Sequence, residues 1–424
     1  MNFFSSLHKP HKKLFNNLYF SLFTIIAFYF LVGCSSTKRF ADGNEINENI
    51  ESNLIRVLLD DQSYNLSIDV YSQIFVYNSG KILAKIKSGN KLLFKANNNS
   101  LTLSISDKEF ESDTFLIKSA DEDSIIRVDN KKFRGSLKIF SDGSQIKVVN
   151  QIGLEDYIKG VITKEMPIGK GNDNNEALKA FSICVRTYAI TKIAEGKLVF
   201  DTYPDTRDQV YGGVDAENSK TNAIVNETRG LILSYDNSPA IIFYHACCGG
   251  YTEDVKNVFS NNDLPYLRSI KDGDQPYCSI APKFNWTEEY PEDLFISRLF
   301  DAQFIKSKNY KIKDISIISR FKSGRVNQLD IEVAGSNNAE KTISIFGNKI
   351  RNIIRTADGK SILRSTMFDI FLKDNYIVVI NGKGFGHGVG LCQWGAIGQS
   401  REGIDYLSIL NHYFPGTEVI KYHD

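Results

Sequence analysis

The chain has 424 residues, with 51 Lys and Arg against 50 Asp and Glu, for a formal net charge of +1. That balance excludes a nucleic-acid binder built on a basic field, and no block of like charge marks an interaction tail. The length is enough for one large domain or two ordinary ones once an N-terminal leader is set aside.

Lys12 and Lys13 precede an apolar run from Leu18 to Val32. The run is short for a spanning helix, which needs ~20 residues, so residues 1–33 read as a secretory signal peptide. A tethering transmembrane helix is the competing reading. Leu31-Val32-Gly33-Cys34 resembles a bacterial lipobox, which makes Cys34 the expected lipidation site. The mature chain is then an exported lipoprotein of the cell envelope, anchored to an outer or a plasma membrane. Residues 34–52 form a polar linker beyond that anchor.

From residue 53 to 132 the chain reads as a β-rich region of short strands, such as Ile55–Leu59 and Leu101–Ile105. Turn signals such as Asn78-Ser79-Gly80 separate them. Two helices follow. The first starts near Glu155-Asp156, acids suited to a helix N-terminus, and ends before Pro167. Tyr157, Val161 and Glu165 fall on one stripe, with Ile158, Ile162 and Met166 beside it. The second runs from about Glu176 to Glu195 and is stopped by Gly196, with Ala177, Phe181, Cys184 and Tyr188 as its apolar face. Gly230 to Tyr244 is strand-like and delivers His245. A β-rich insertion occupies about 285–379, and a last helix opens at Asp405 and closes at Phe414-Pro415-Gly416. The expected class is α+β, a curved and mostly antiparallel sheet with a few packed helices and a substrate groove. Residues 133–424 would form its functional domain.

Five glycines stand at every second position, from Gly382 through Gly384, Gly386 and Gly388 to Gly390. Side chains alternate faces on a strand, so this spacing predicts one bare face, with His387 on the other. Glycine within a strand marks close approach of a ligand or of backbone. A bare groove wall and tight sheet packing are both compatible with the pattern. Gln393 and Trp394 follow and add hydrogen-bonding and stacking capacity.

Five cysteines remain after Cys34. Cys184 and Cys392 read as buried small apolar residues. Cys247 and Cys248 follow His245, and Cys278 lies about thirty residues further on. Outside the cytoplasm a disulfide between Cys248 and Cys278 is one expectation. A structural Zn²⁺ held by His245, Cys248 and Cys278, with or without Cys247, is a second, and free thiols are the third. No cofactor is needed for the chemistry below.

Glu165 is the expected catalytic acid. The C-terminal end of a helix disfavours a carboxylate, and partial burial raises its pKa, so the group is suited to donating a proton.

Several motifs carry a family resemblance. They are Leu154-Glu155-Asp156-Tyr157-Ile158, Glu165-Met166-Pro167, Arg186-Thr187-Tyr188-Ala189, Asp208-Gln209-Val210-Tyr211-Gly212-Gly213, Gly249-Gly250-Tyr251-Thr252-Glu253, Pro265-Tyr266-Leu267 and the glycine run with Gln393-Trp394-Gly395-Ala396. In order, from about Phe133 to Tyr422, they resemble the stage II sporulation protein D (SpoIID) and LytB family. The resemblance implies a peptidoglycan lytic transglycosylase acting on glycan strands stripped of stem peptides, with Glu165 as its acid. It also implies substrate contacts from Arg186, Tyr266, Arg268, His387, Gln393 and Trp394. Family members include amidase enhancers, so a non-catalytic glycan-binding partner of a cell-wall amidase is the alternative. A structural lipoprotein whose β-module docks a partner is a third reading. The chain departs from the family's C-terminal pattern at Leu391, Cys392 and Trp394, and its Ile168–Asn175 loop is elongated, either mobile over the substrate or slack.

Overall fold

The computed structural model describes residues 54–120, 125–128, 130–197, 199–259, 263–336 and 339–422. The leader, Cys34 and the 34–52 linker lie outside the described residues. Among the described residues no helix is long and apolar enough to cross a membrane.

Two six-stranded antiparallel sheets open the fold. The first has the strand order Leu54–Ser63, Gln145–Gly153, Ser136–Asp142, Thr114–Ser119, Ile74–Asn78, Lys81–Ile86. The second runs Lys131–Phe133, Ile126–Val128, Asn65–Asp69, Lys91–Asn97, Ser100–Ile105, Lys108–Ser112. Alternate residues such as Leu92 and Phe94 on one sheet and Phe115 and Ile117 on the other are buried, the period-2 pattern of half-buried strands. Phe94 meets Phe115 edge-on at 5.8 Å between the sheets. The expected boundary at residue 132 falls inside this sandwich, because Ser136–Asp142 and Gln145–Gly153 are interior strands of the first sheet. The sandwich and the helices behind it share one continuous apolar core, from Ile55 to Phe414.

The Gln145–Gly153 strand passes directly into helix α1 (Leu154–Glu165), and α2 (Asn175–Ala194) packs against it. Both lie within a residue or so of their expected spans, since acidic first turns, Pro167 and Gly196 punctuate them in sequence. The apolar surface of α2 is wider than one stripe, for twelve of its residues are buried. It stands at the centre of the fold, with Ser219–Glu227, Gln393–Arg401, Tyr406–Tyr413 and the Leu231–Tyr235 strand around it. Mixed helices and open antiparallel sheets make the class α+β.

Residues 285–383 form two three-stranded sheets with the helices Glu292–Asp301 and Lys349–Ile354. They close on an apolar core of their own, from Trp286 to Val379. Chain leaving this module at Lys383 enters the glycine run.

That run is not a strand. The last strand of the module ends at Lys383, and Gly384, Gly386, Gly388 and Gly390 all have positive φ, between 72° and 119°. Only glycine adopts this backbone cheaply. The glycine positions are also filled from outside. A Cβ on Gly386 would meet His245 Cβ at 2.7 Å, one on Gly388 the Arg325 guanidinium at 2.7 Å, and one on Gly390 the Phe243 carbonyl. The bare-wall expectation is therefore replaced by close packing of this strap on residues 243–249. Backbone bonds fix it there, with Phe385 N–H donating to the Cys247 carbonyl (2.7 Å) and Leu391 N–H to that of Phe243 (3.0 Å).

Candidate active site

Glu165 is the last residue of α1. Met166 is already extended (φ −133°, ψ 136°) and Pro167 cannot continue the helix, so the carboxyl sits at the helix end. Its Oε1 accepts from the Val210 N–H at 2.7 Å, and the Gln393 side chain is within hydrogen-bonding reach. Burial raises the pKa of Glu165 above the ordinary carboxylate value, and those two donors only partly offset it. The acid is thus half-desolvated yet held in one orientation.

Around it lies a cleft of about 430 Å³. One wall is the end of α1, with Thr163, Lys164, Met166 and Pro167. The others come from Ala246 and Cys247, from Ala281, Pro282 and Lys283, and from Phe385, Gln393 and Trp394. Phe385 is 38% exposed, and Lys283 lies 5.6 Å from its ring centroid. Among the described residues lining this cleft, Glu165 is the one carboxyl group. A larger hollow of about 700 Å³ lies on the inserted module. Its buried acid, Glu292, is held by Lys311 (3.1 Å) and the Ile312 N–H (2.6 Å), and its other acid, Asp293, is exposed on the surface.

Gln393 and Trp394 reach the cleft on the helix Gln393–Arg401, which strand-like reading of the glycine run overlooks. Gly395 and Gly398 lower its helix propensity, but packing demands them. A Cβ on Gly395 would meet Asp272 Oδ1 at 2.5 Å, and one on Gly398 the backbone of Tyr277 at 2.8 Å.

The other expected substrate contacts lie elsewhere. Arg186 is fully buried in α2, its fork bonded to both carboxylate oxygens of Glu155 (2.9 and 2.8 Å) and its Nη1 to the Leu231 carbonyl (3.0 Å). It holds α1, α2 and the following strand together and has no fork left for a sugar. Tyr266 is buried, its hydroxyl accepting from the Ile241 N–H (2.9 Å), and Arg268 pairs with Asp263. His387 is absent from the cleft lining. Its Nε2–H donates to the Tyr244 carbonyl (2.9 Å) and its Nδ1 accepts from the Val389 N–H (3.1 Å), which fixes a neutral tautomer. Burial lowers its pKa to about 3.

Two further carboxylates of the matched motifs, Asp208 and Glu253, are both occupied. Asp208 accepts from the Tyr188 hydroxyl (2.6 Å) and the Tyr203 N–H (2.8 Å). Glu253 accepts from the Asp254 N–H and Asn257, and bonds Ser323. Missed by the sequence reading were the Val210 N–H, Phe385 and Lys283. The Asp208–Gly213 motif held the signal for the first of these.

The elongated loop after Pro167 is pinned, not slack. Asn174 Nδ2 donates to the Pro167 carbonyl (3.0 Å), Ser400 Oγ to that of Asp173 (2.8 Å) and Lys220 Nζ to that of Ile168 (3.1 Å).

Behind the cleft, Cys248 and Cys278 are free thiols with sulfurs 3.4 Å apart. His245, expected to join them in a metal site, instead turns its Nδ1 to the Val389 carbonyl at 3.1 Å. Cys392 takes its place beside the two sulfurs, and Asp272 completes the group.

An α+β fold that aims one half-buried glutamate from a helix end into a cleft with aromatic and lysine walls defines the class. Residues 142–235 match the family described as stage II sporulation protein, and 279–390 match a Domain of unknown function (DUF8618). An amidase enhancer of Bacillus subtilis is 31% identical over 410 residues, covering 86% of this chain and 51% of that protein. The chain thus spans about half the length of that relative. Stage II sporulation protein D of Bacillus amyloliquefaciens is 29% identical over 288 residues, 64% of this chain and 75% of its own. An uncharacterised protein of Brachyspira hyodysenteriae is 29% identical over 385 residues, 90% of this chain and 96% of its own. Residues 142–235 thus belong to the stage II sporulation protein family, and the chain as a whole is similar to its stage II sporulation protein D and amidase-enhancer members.

Proposed function

We propose that this protein is a peptidoglycan lytic transglycosylase of the cell envelope, tethered through a lipid on Cys34, with a role in wall remodelling or sporulation. The observation that carries the reading is the lone carboxyl of Glu165 in its cleft. A hydrolase of the usual kind needs two carboxyl groups flanking the scissile bond. A lytic transglycosylase needs one, because the substrate supplies its own nucleophile.

Protonated Glu165 donates its proton to the oxygen bridging muramic acid C1 and glucosamine C4, and the C1–O bond breaks. The carboxylate then takes the proton of the muramic acid C6 hydroxyl as its oxygen bonds to C1. The product is a 1,6-anhydro end, no water is consumed, and Glu165 ends protonated as it began. Trp394 and Phe385 offer flat faces to sugar C–H groups. Lys164 and Lys283 suit the lactyl carboxylates, which are free only where stem peptides have been removed.

Activity follows the acid form. Burial raises the pKa of Glu165, so kcat/KM is expected to hold at low pH and fall as pH rises through a value above the ordinary one for glutamate. A rate that climbs through that range would assign the proton to another group.

Similarity to the amidase enhancer supports a second reading, a glycan-binding stimulator of an amidase. Stripped glycan strands incubated with the protein and read by mass spectrometry separate the two. Anhydro-muramyl ends support the transglycosylase. Binding without cleavage, together with faster turnover of an added amidase, supports the enhancer.

A further inference from the structure

We infer that Cys248, Cys278, Cys392 and Asp272 form a closed structural site for one tetrahedral divalent ion of zinc's type, directly behind the catalytic cleft. Their ligand atoms lie within 4.8 Å of one another, and all four residues are buried. Cys248 and Cys278 place their sulfurs 3.4 Å apart. Two thiolates on one tetrahedral zinc stand ~3.8 Å apart, given a Zn–S bond of about 2.3 Å, whereas a disulfide needs ~2.0 Å. The spacing is much nearer the first.

The surroundings are built for thiolates. Cys392 Sγ accepts from the Cys248 N–H (3.1 Å) and from the Gly395 N–H (3.3 Å), and Cys248 Sγ accepts from the Gly250 N–H (3.4 Å). Backbone donors aimed at sulfur stabilise the charged form and are what outer partners of a metal–thiolate site supply. Asp272 is oriented in the same way, its Oδ2 by the Cys278 N–H (2.9 Å) and its Oδ1 by the Tyr413 hydroxyl (2.6 Å). A second, independent observation is Arg325. It is buried, its Nη2 donates to the Cys248 carbonyl (2.7 Å), and its Nε and Nη1 have no hydrogen-bond partner. A buried guanidinium so poorly bonded requires negative charge beside it, which Glu253 and, next to it, the sulfurs of Cys248 and Cys392 supply. Three sulfurs and one carboxylate oxygen leave no open position, so the ion would be structural.

The ligands come from three distant stretches of chain. Cys248 follows Cys247 in the cleft wall, Asp272 and Cys278 precede Ala281 to Lys283, and Cys392 caps the helix that carries Gln393 and Trp394. One ion would fasten three walls of the cleft.

The test is metal analysis of the full chain, purified in detergent without chelator under reducing conditions. About one zinc per chain is expected. Cobalt substitution should give the intense visible bands of a tetrahedral site and a thiolate-to-metal charge-transfer band in the near ultraviolet. Cys278→Ser and Asp272→Asn should each weaken metal retention roughly tenfold or more, while Cys184→Ala, outside the cluster, should not. The cobalt spectrum of the wild type stands even where a variant fails to fold. Wild-type protein that holds no metal after zinc dialysis, or a Cys248–Cys278 disulfide in zinc-supplied protein, would overturn the inference. Neither result bears on whether Glu165 cleaves glycan, which is read from products alone.

Discussion

Replacing Glu165 with glutamine is expected to lower the rate of anhydro-product formation by about 10²- to 10⁴-fold, the usual range for a general acid, with glycan binding retained. Glutamine keeps the shape, and its carbonyl oxygen can still accept from the Val210 N–H, which now reaches Glu165 at 2.7 Å. What it lacks is the transferable proton. The same change carries a thermodynamic signature. Burial raises the folded-state pKa of Glu165, so the folded protein binds that proton more tightly than the unfolded chain does. Its stabilising contribution is complete below the unfolded pKa and is lost as pH rises through the folded one. Glu165→Gln should therefore be more stable than wild type at neutral pH, with the difference vanishing in acid. A variant that loses activity and stability together would mean that Glu165 is structural.

Arg186→Met is the second large effect, and it falls on stability. The guanidinium is fully buried and doubly bonded to Glu155. Removing one partner of a buried pair leaves an uncompensated charge, at a cost of ~3–5 kcal/mol. Urea unfolding should show a lower midpoint at unchanged slope. Arg186→Met combined with Glu155→Leu should recover much of the loss, because neither charge remains. At temperatures where the single variant is folded, its KM for glycan should match wild type. A raised KM with normal stability would instead restore the sugar-binding role that the motif resemblance implies for this arginine.

Much of the fold's framework was legible from local chemistry. Acidic first turns, Pro167 and Gly196 delimit α1 and α2, and the stripe of Tyr157, Ile158, Val161 and Ile162 marks the buried face. Glu165 could be read because a carboxyl continuing an apolar stripe to a helix end is unusual in itself. The glycine run misled because period-2 spacing in sequence carries no sign of φ. A strand and a strap of alternating left-handed glycines look alike until the neighbours are known, here Phe243, His245, Cys247 and Arg325. Arg186 misled for a related reason. A motif arginine fits a ligand or a buried carboxylate equally well, and Glu155 lies 31 positions away in sequence. The cysteine cluster was half visible. His245 stood close by in sequence, whereas Cys392 and Asp272 reach Cys248 only through tertiary folding.

The account turns on one group doing both halves of the reaction without water. The most direct measurement is cleavage of stripped glycan strands by the full chain in H₂¹⁸O, with the new ends read by mass spectrometry. A lone Glu165 acting on the substrate's own C6 hydroxyl predicts 1,6-anhydro-muramic acid ends that carry no ¹⁸O. New reducing ends bearing one ¹⁸O would show that water is the nucleophile and that a second carboxylate joins the cleft, contradicting the mechanism.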